Sequence, residues 1–114
     1  MIQLPEIFQE SQFVEATIVQ INKDLLGLTE CNILIGQNYH LSQILPAIIN
    51  ELILVLKELL RRTPEQLSQF IYRVDLRENR YFDSLQKDPS LHDLAYQIIE
   101  REAQKVFLRK KFSI

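Results

Sequence analysis

Hydrophobic positions recur every three or four residues along most of this chain, and the recurrence breaks at only a few places. The strongest stretch runs from Leu41 to Arg62, with Leu52-Ile53-Leu54-Val55-Leu56 at its middle. At about 100° per residue, Leu41, Ile44, Leu45, Ile48, Ile49, Leu52, Ile53, Val55, Leu56, Leu59 and Leu60 fill an arc of roughly 180°. Gln43, Asn50, Lys57 and Arg61 lie opposite, and Leu54 falls among them, beside Ala47, Glu51 and Glu58. The spacing predicts an apolar helix over 41–62 that one chain can cover with its other helices. Pro46 either begins its regular part or kinks it.

Other segments repeat the helical period. A first helix is expected from about Pro5 to Leu26, with a seam of Ile7, Val14, Ile18, Ile21, Leu25 and Leu28, widened by Phe8, Val19 and Leu26. Gly27 suits a left-handed stop. Residues 29–40 lack a period, so Ile33-Leu34-Ile35 reads as a loop pinned by apolar side chains, or as a strand pairing with a second copy of the chain. Thr63-Pro64-Glu65-Gln66 starts a third helix, with Leu67, Phe70, Ile71 and Val74 inward. Asp75-Leu76-Arg77-Glu78 has the D-x-x-E spacing of a cap for a fourth helix, which buries Leu76, Phe82 and Leu85. Ser90 is the expected cap of a last helix from Leu91 to about Lys110, with Asp93 near its positive end.

That last helix changes character. Leu91, Leu94, Ala95, Ile98 and Ile99 form a stripe whose continuation is Glu102, Lys105 and Arg109. Ala103, Val106 and Phe107 carry a second, rotated patch. The expectation is that the helix leaves the bundle after about two and a half turns. A buried Glu102 would need a cationic partner such as Lys105 or Arg109.

The predicted fold is all-α: a single domain over residues 1–114, a compact bundle of four to five helices around the apolar helix 41–62. Two glycines in 114 residues speak against an all-β chain with its many tight turns. With 46% hydrophobic and 25% charged residues, the composition is that of a globular domain. No apolar run exceeds five residues, so no membrane span is expected. Met1 to Glu10 lacks the basic and apolar regions of a secretory signal, and a single cysteine, Cys31, fits a reducing cytoplasm.

Chemistry is sparse. No glycine-rich phosphate loop or serine-centred nucleophile elbow is present. Cys31, His40 and His92 have no metal-ligand spacing, and the carboxylates are dispersed. No catalytic residue, cofactor or metal ligand is expected, and the chain is read as a non-enzyme. Charge is uneven: residues 1–60 hold two Lys/Arg against seven Asp/Glu, residues 61–114 eleven against eight. Arg73, Arg77 and Arg80 interleave with Tyr72 and Tyr81, while Arg109, Lys110 and Lys111 form a basic tail. Both segments are candidate polyanion-binding sites, although Asp75, Glu78 and Asp83 alternate with the arginines and weaken the nucleic-acid reading.

Ile71-Tyr72-Arg73-Val74-Asp75 and Arg101-Glu102-Ala103-Gln104-Lys105-Val106 resemble segments of small helical bacterial proteins of no known activity. The resemblance implies a helical fold and adds no site residue. The expected function is a non-catalytic protein–protein interaction module that self-associates. Its candidate interface is Leu54 with Val106, Phe107, Leu108 and Phe112, all outside the main apolar stripes.

Overall fold

A computed structural model describes residues 10–34, 41–62 and 64–112. Among them are five helices and no strand: α1 (Ser11–Leu25), α2 (Leu41–Arg62), α3 (Pro64–Val74), α4 (Glu78–Lys87) and α5 (His92–Phe112). One hydrophobic cluster draws on all five. The expected start at Pro5, the Thr63 cap, Ile35, Gly36 and His40 lie outside the described residues.

The hub is α5, which packs against each of the other four helices, most extensively against α1. The apolar helix α2 rests on α3 and α5. It buries Ile44, Ile48, Ile49, Leu52, Val55, Leu56 and Leu59, but Leu60 is exposed and Leu45 and Ile53 are half-buried. The buried arc is therefore narrower than the sequence pattern suggests. Two neighbours cover less than a half-cylinder, and α2 runs through Pro46.

On α1 the expected seam is buried at Val14, Ile21, Leu25 and Leu28, but it widens on the other side. Phe13, Thr17, Gln20 and Asp24 are inside, whereas Val19 and Leu26 are exposed. The polar residues are buried because each finds a partner: Thr17 Oγ1 donates to its own helix at Phe13 O, 2.9 Å away, and Gln20 and Asp24 meet α5. Gly27 takes a left-handed φ of 83°, which ends the helix as anticipated.

Residues 29–34 are irregular, as the loop reading requires. Asn22 holds this segment like a neighbouring strand: its Oδ1 accepts from Ile33 N–H at 2.8 Å, and its Nδ2 donates to Ile33 O at 3.2 Å. Ile33 is buried and Leu34 is exposed. Replacing Asn22 with Ala should cost about 1–2 kcal/mol, because it removes both bonds and strands two backbone groups. Faster hydrogen exchange at the Ile33 amide, beyond the change in global stability, is the expected readout.

A left-handed residue stands at or beside each of two expected caps. Asp75 does not cap α4, whose N-cap is Arg77 without a side-chain bond. Asp75 instead closes α3 at φ 68°, with Leu76 N–H reaching back to Ile71 O and both of those side chains buried. Leu91, at φ 69°, precedes α5, and the Asp88 carboxylate caps it from upstream by accepting from the Asp93 and Ser90 amides. Ser90 joins this arrangement at one remove: its hydroxyl donates to Asp88 and accepts from the His92 amide at 3.4 Å. On α4 the inward aromatic is Tyr81. Phe82 is exposed and leans against the Tyr81 ring at 5.1 Å between centroids.

Candidate functional site

The polar continuation of the α5 stripe does not leave the bundle. Glu102 and Ala103 are fully buried, and so is nearly all of Val106. This part of α5 lies along the polar face of α1, antiparallel to it. Lys105 Nζ donates to Asp24 Oδ2 at 2.9 Å, Arg109 donates to Gln20 Oε1, and Phe107 meets Phe13 at 6.3 Å between ring centroids. Thus Glu102, Lys105 and Arg109 on α5 face Gln20 and Asp24 on α1. Residues read as the point of departure from the core are the core's polar seam.

Lys105 is the organising cation. Besides Asp24 it donates to Arg73 O at 3.0 Å and Val74 O at 3.5 Å, two carbonyls left open at the end of α3. Its ammonium also stands 2.7 Å from Glu102 Oε1, so two buried carboxyl groups crowd one cation. A proton resolves the conflict, since a neutral carboxyl can donate to the Asp24 carboxylate. Burial, then the hydrogen bond and charge of Asp24, push the Glu102 pKa up to about 9 against the opposing pull of Lys105. At neutral pH the trio is one carboxylate, one ammonium and one neutral acid. Charge is balanced, which is the condition for burying such groups.

Arginines complete the seam at its ends. Arg73 Nη1 donates to Asp24 O at 3.1 Å and Leu26 O at 2.7 Å, satisfying the carbonyl end of α1. Arg101 pairs with Asp75 at 2.8 Å, where the neighbouring guanidinium holds the exposed carboxyl below the usual range. Segments 71–75 and 101–106 therefore meet, through Arg101 to Asp75 and Lys105 to Arg73 O.

Several of the candidate residues make contacts within the fold. Arg73 is occupied by α1, Arg109 by Gln20, and Lys110 sits over the Phe13 ring at 5.6 Å. Lys111 lies over Phe107 at 5.9 Å, and Arg77 and Arg80 are exposed. Of the candidate interface residues, Val106 is buried in the core and Phe107 packs against it, so neither is a free surface. Leu108 is exposed, as is Leu54 at 67%. The Phe112 side chain lies outside the described residues.

Sequence reasoning missed one exposure and one pairing. Leu34 is 78% exposed, and its N–H donates to Glu51 on α2, one turn before Leu54. Asp24 carried no signal of its own, because its partner is 81 positions away. Among the described residues no group of three or more His, Cys, Asp or Glu side chains could hold a metal ion, and no helix is long and apolar enough to cross a membrane. Comparison with family models, curated proteins and solved structures finds no match to the chain.

Proposed function

We propose that the protein is a non-catalytic helical interaction module, acting in the cytoplasm, which self-associates through the surface around Leu34 and Leu54. The observation that carries this reading is the pairing of two large exposed leucines about Glu51. Leu34 is hydrogen-bonded to the Glu51 side chain, and Leu54 follows one helical turn later. Single exposed leucines are ordinary, whereas neighbouring ones favour burial against a partner. The enclosed carboxyl of Glu102 supports the non-catalytic part, since its proton serves charge balance inside the fold. An exposed free thiol at Cys31 supports a reducing compartment.

Size exclusion with light scattering at micromolar concentration should give a species near twice 13.5 kDa. Leu54→Glu should return the mass to that of one chain without altering the helical circular dichroism. Wild-type chain running as a monomer at every concentration would remove the self-associating reading. The competing reading is polyanion binding through Arg77, Arg80 and the basic end of α5. It predicts retention on heparin that collapses with salt.

A further inference from the structure

We propose that the cleft between α3 and α4 binds an alkylammonium head group. Ser68, Ile71 and Tyr72 of α3, Leu76 of the connection, and Glu78 and Tyr81 of α4 line a cavity of about 280 Å³. Its chemistry is divided by depth. Ile71, Leu76 and Tyr81 are buried and form an apolar floor, while Ser68, Tyr72 and Glu78 are exposed and form the rim. Tyr81 is fixed by its bond to Ser68, and burial pushes its phenol above 10, so that wall stays neutral. Tyr72, at 85% exposure, is free to lay its ring against an occupant.

The rim charge gives the sign of the ligand. Glu78 is the only ionised side chain in the lining, and among the described residues its carboxylate makes no hydrogen bond or ion pair. The C-terminal end of α3 and the N-terminal end of α4 both adjoin the cleft, and their opposed dipoles offset each other. Arg77 and Arg80 flank Glu78 in sequence but do not line the cavity, which leaves Glu78 as the charged group facing an occupant. Arg73 lines the shallower groove beyond Tyr72, but its guanidinium is held at the end of α1 by Asp24 O and Leu26 O. Two phenol rings, one carboxylate and an apolar floor suit a cation clothed in methyl groups. The rings attract the charge, and the floor accepts the methyls that an ordinary ammonium lacks. An anion would meet the Glu78 carboxylate, and a bare ammonium would lose its hydration over apolar side chains. The shared chemistry is a methylated ammonium, whether on a small molecule or on a modified lysine of a partner.

The test is a titration of the full chain with choline, followed by amide NMR at constant ionic strength. Its uncharged isostere 3,3-dimethylbutan-1-ol serves as the comparison. Saturable shifts should centre on Ser68, Tyr72, Glu78 and Tyr81, with the isostere binding about tenfold more weakly. Glu78→Gln should weaken choline by about fivefold or more. Tyr72→Phe, which keeps the ring, should bind like wild type, and Tyr72→Ala should not. A peptide carrying trimethyl-lysine separates the two sources: binding well above choline assigns the cleft to a protein side chain, and equal binding assigns it to a small molecule. Shifts that never saturate, equal affinity for the isostere, or an unaffected Glu78→Gln would each overturn the proposal.

Discussion

Glu102→Gln should leave the protein within about 1 kcal/mol of wild type near pH 5 and make it more stable by on the order of 4–5 kcal/mol at pH 8. The reason is linkage. In the unfolded chain Glu102 titrates near its ordinary 4.5, whereas in the fold its pKa is about 9. Between those values the folded state holds a proton that the unfolded state has released. Stability from this group is thus complete below about pH 4.5 and is lost progressively as pH rises towards 9. Glutamine is neutral throughout, has nearly the same shape and can still donate to Asp24, so the decline should vanish. Urea midpoints at pH 5 and pH 8 for both chains measure it. Parallel pH dependence in the two would mean that Glu102 is not held as a neutral acid.

The second large effect is expected from Lys105→Met. The methionine fills most of the space but leaves the Asp24 carboxylate, whose side chain is 12% exposed, without its cation. Arg73 O and Val74 O lose a donor in the same step. Removing one partner from a buried pair typically costs about 3–5 kcal/mol, most of it the stranded charge. Adding Asp24→Asn to Lys105→Met should therefore recover a large part of the loss, although each single change is destabilising. Strict additivity of the two, read from urea unfolding at pH 7, would show that Asp24 and Lys105 are not coupled.

These expectations also mark where the sequence stops being readable. Leu67, Phe70, Ile71 and Val74 of α3 are all buried, as their spacing requires, and Gly27 ends α1 where a left-handed residue is needed. Such features depend on neighbours within one or two turns. Asp75 shows the limit of such signals, because a cap and a left-handed closure draw on the same residue types, and at Ser90 the neighbouring Asp88 competes for the same amides. The choice was made by packing of Leu76 and by the Asp88 carboxylate. Glu102 was visible as an anomaly in the α5 stripe, yet its meaning was hidden. Lys105, the cationic partner its spacing suggests, does stand 2.7 Å away, but the second carboxyl of the cluster, Asp24, belongs to another helix and gives no local sign. Arg73 shows the same limit. In the sequence it belongs to a basic cluster, and in the fold it closes the end of α1.

The candidate site follows this division. Leu54 was legible because its angular position on α2 is a local property. Leu34 was not, since its exposure depends on how Asn22 and Glu51 hold an irregular segment. The α3–α4 cleft was equally hidden: Tyr72 and Tyr81 were noticed beside arginines, while the residue that shares their cavity is Glu78.

The polar seam between α1 and α5 is an enclosed part of the fold, with Glu102 at its centre. Carbon-detected NMR of the Glu102 side-chain carboxyl, titrated from pH 4 to pH 10, reads that enclosure. A midpoint near 9 is expected, with no titration step at the ordinary glutamate value. A midpoint near 4.5 would contradict it, because a carboxyl that ionises there is solvated, open to ligands and available for acid–base chemistry.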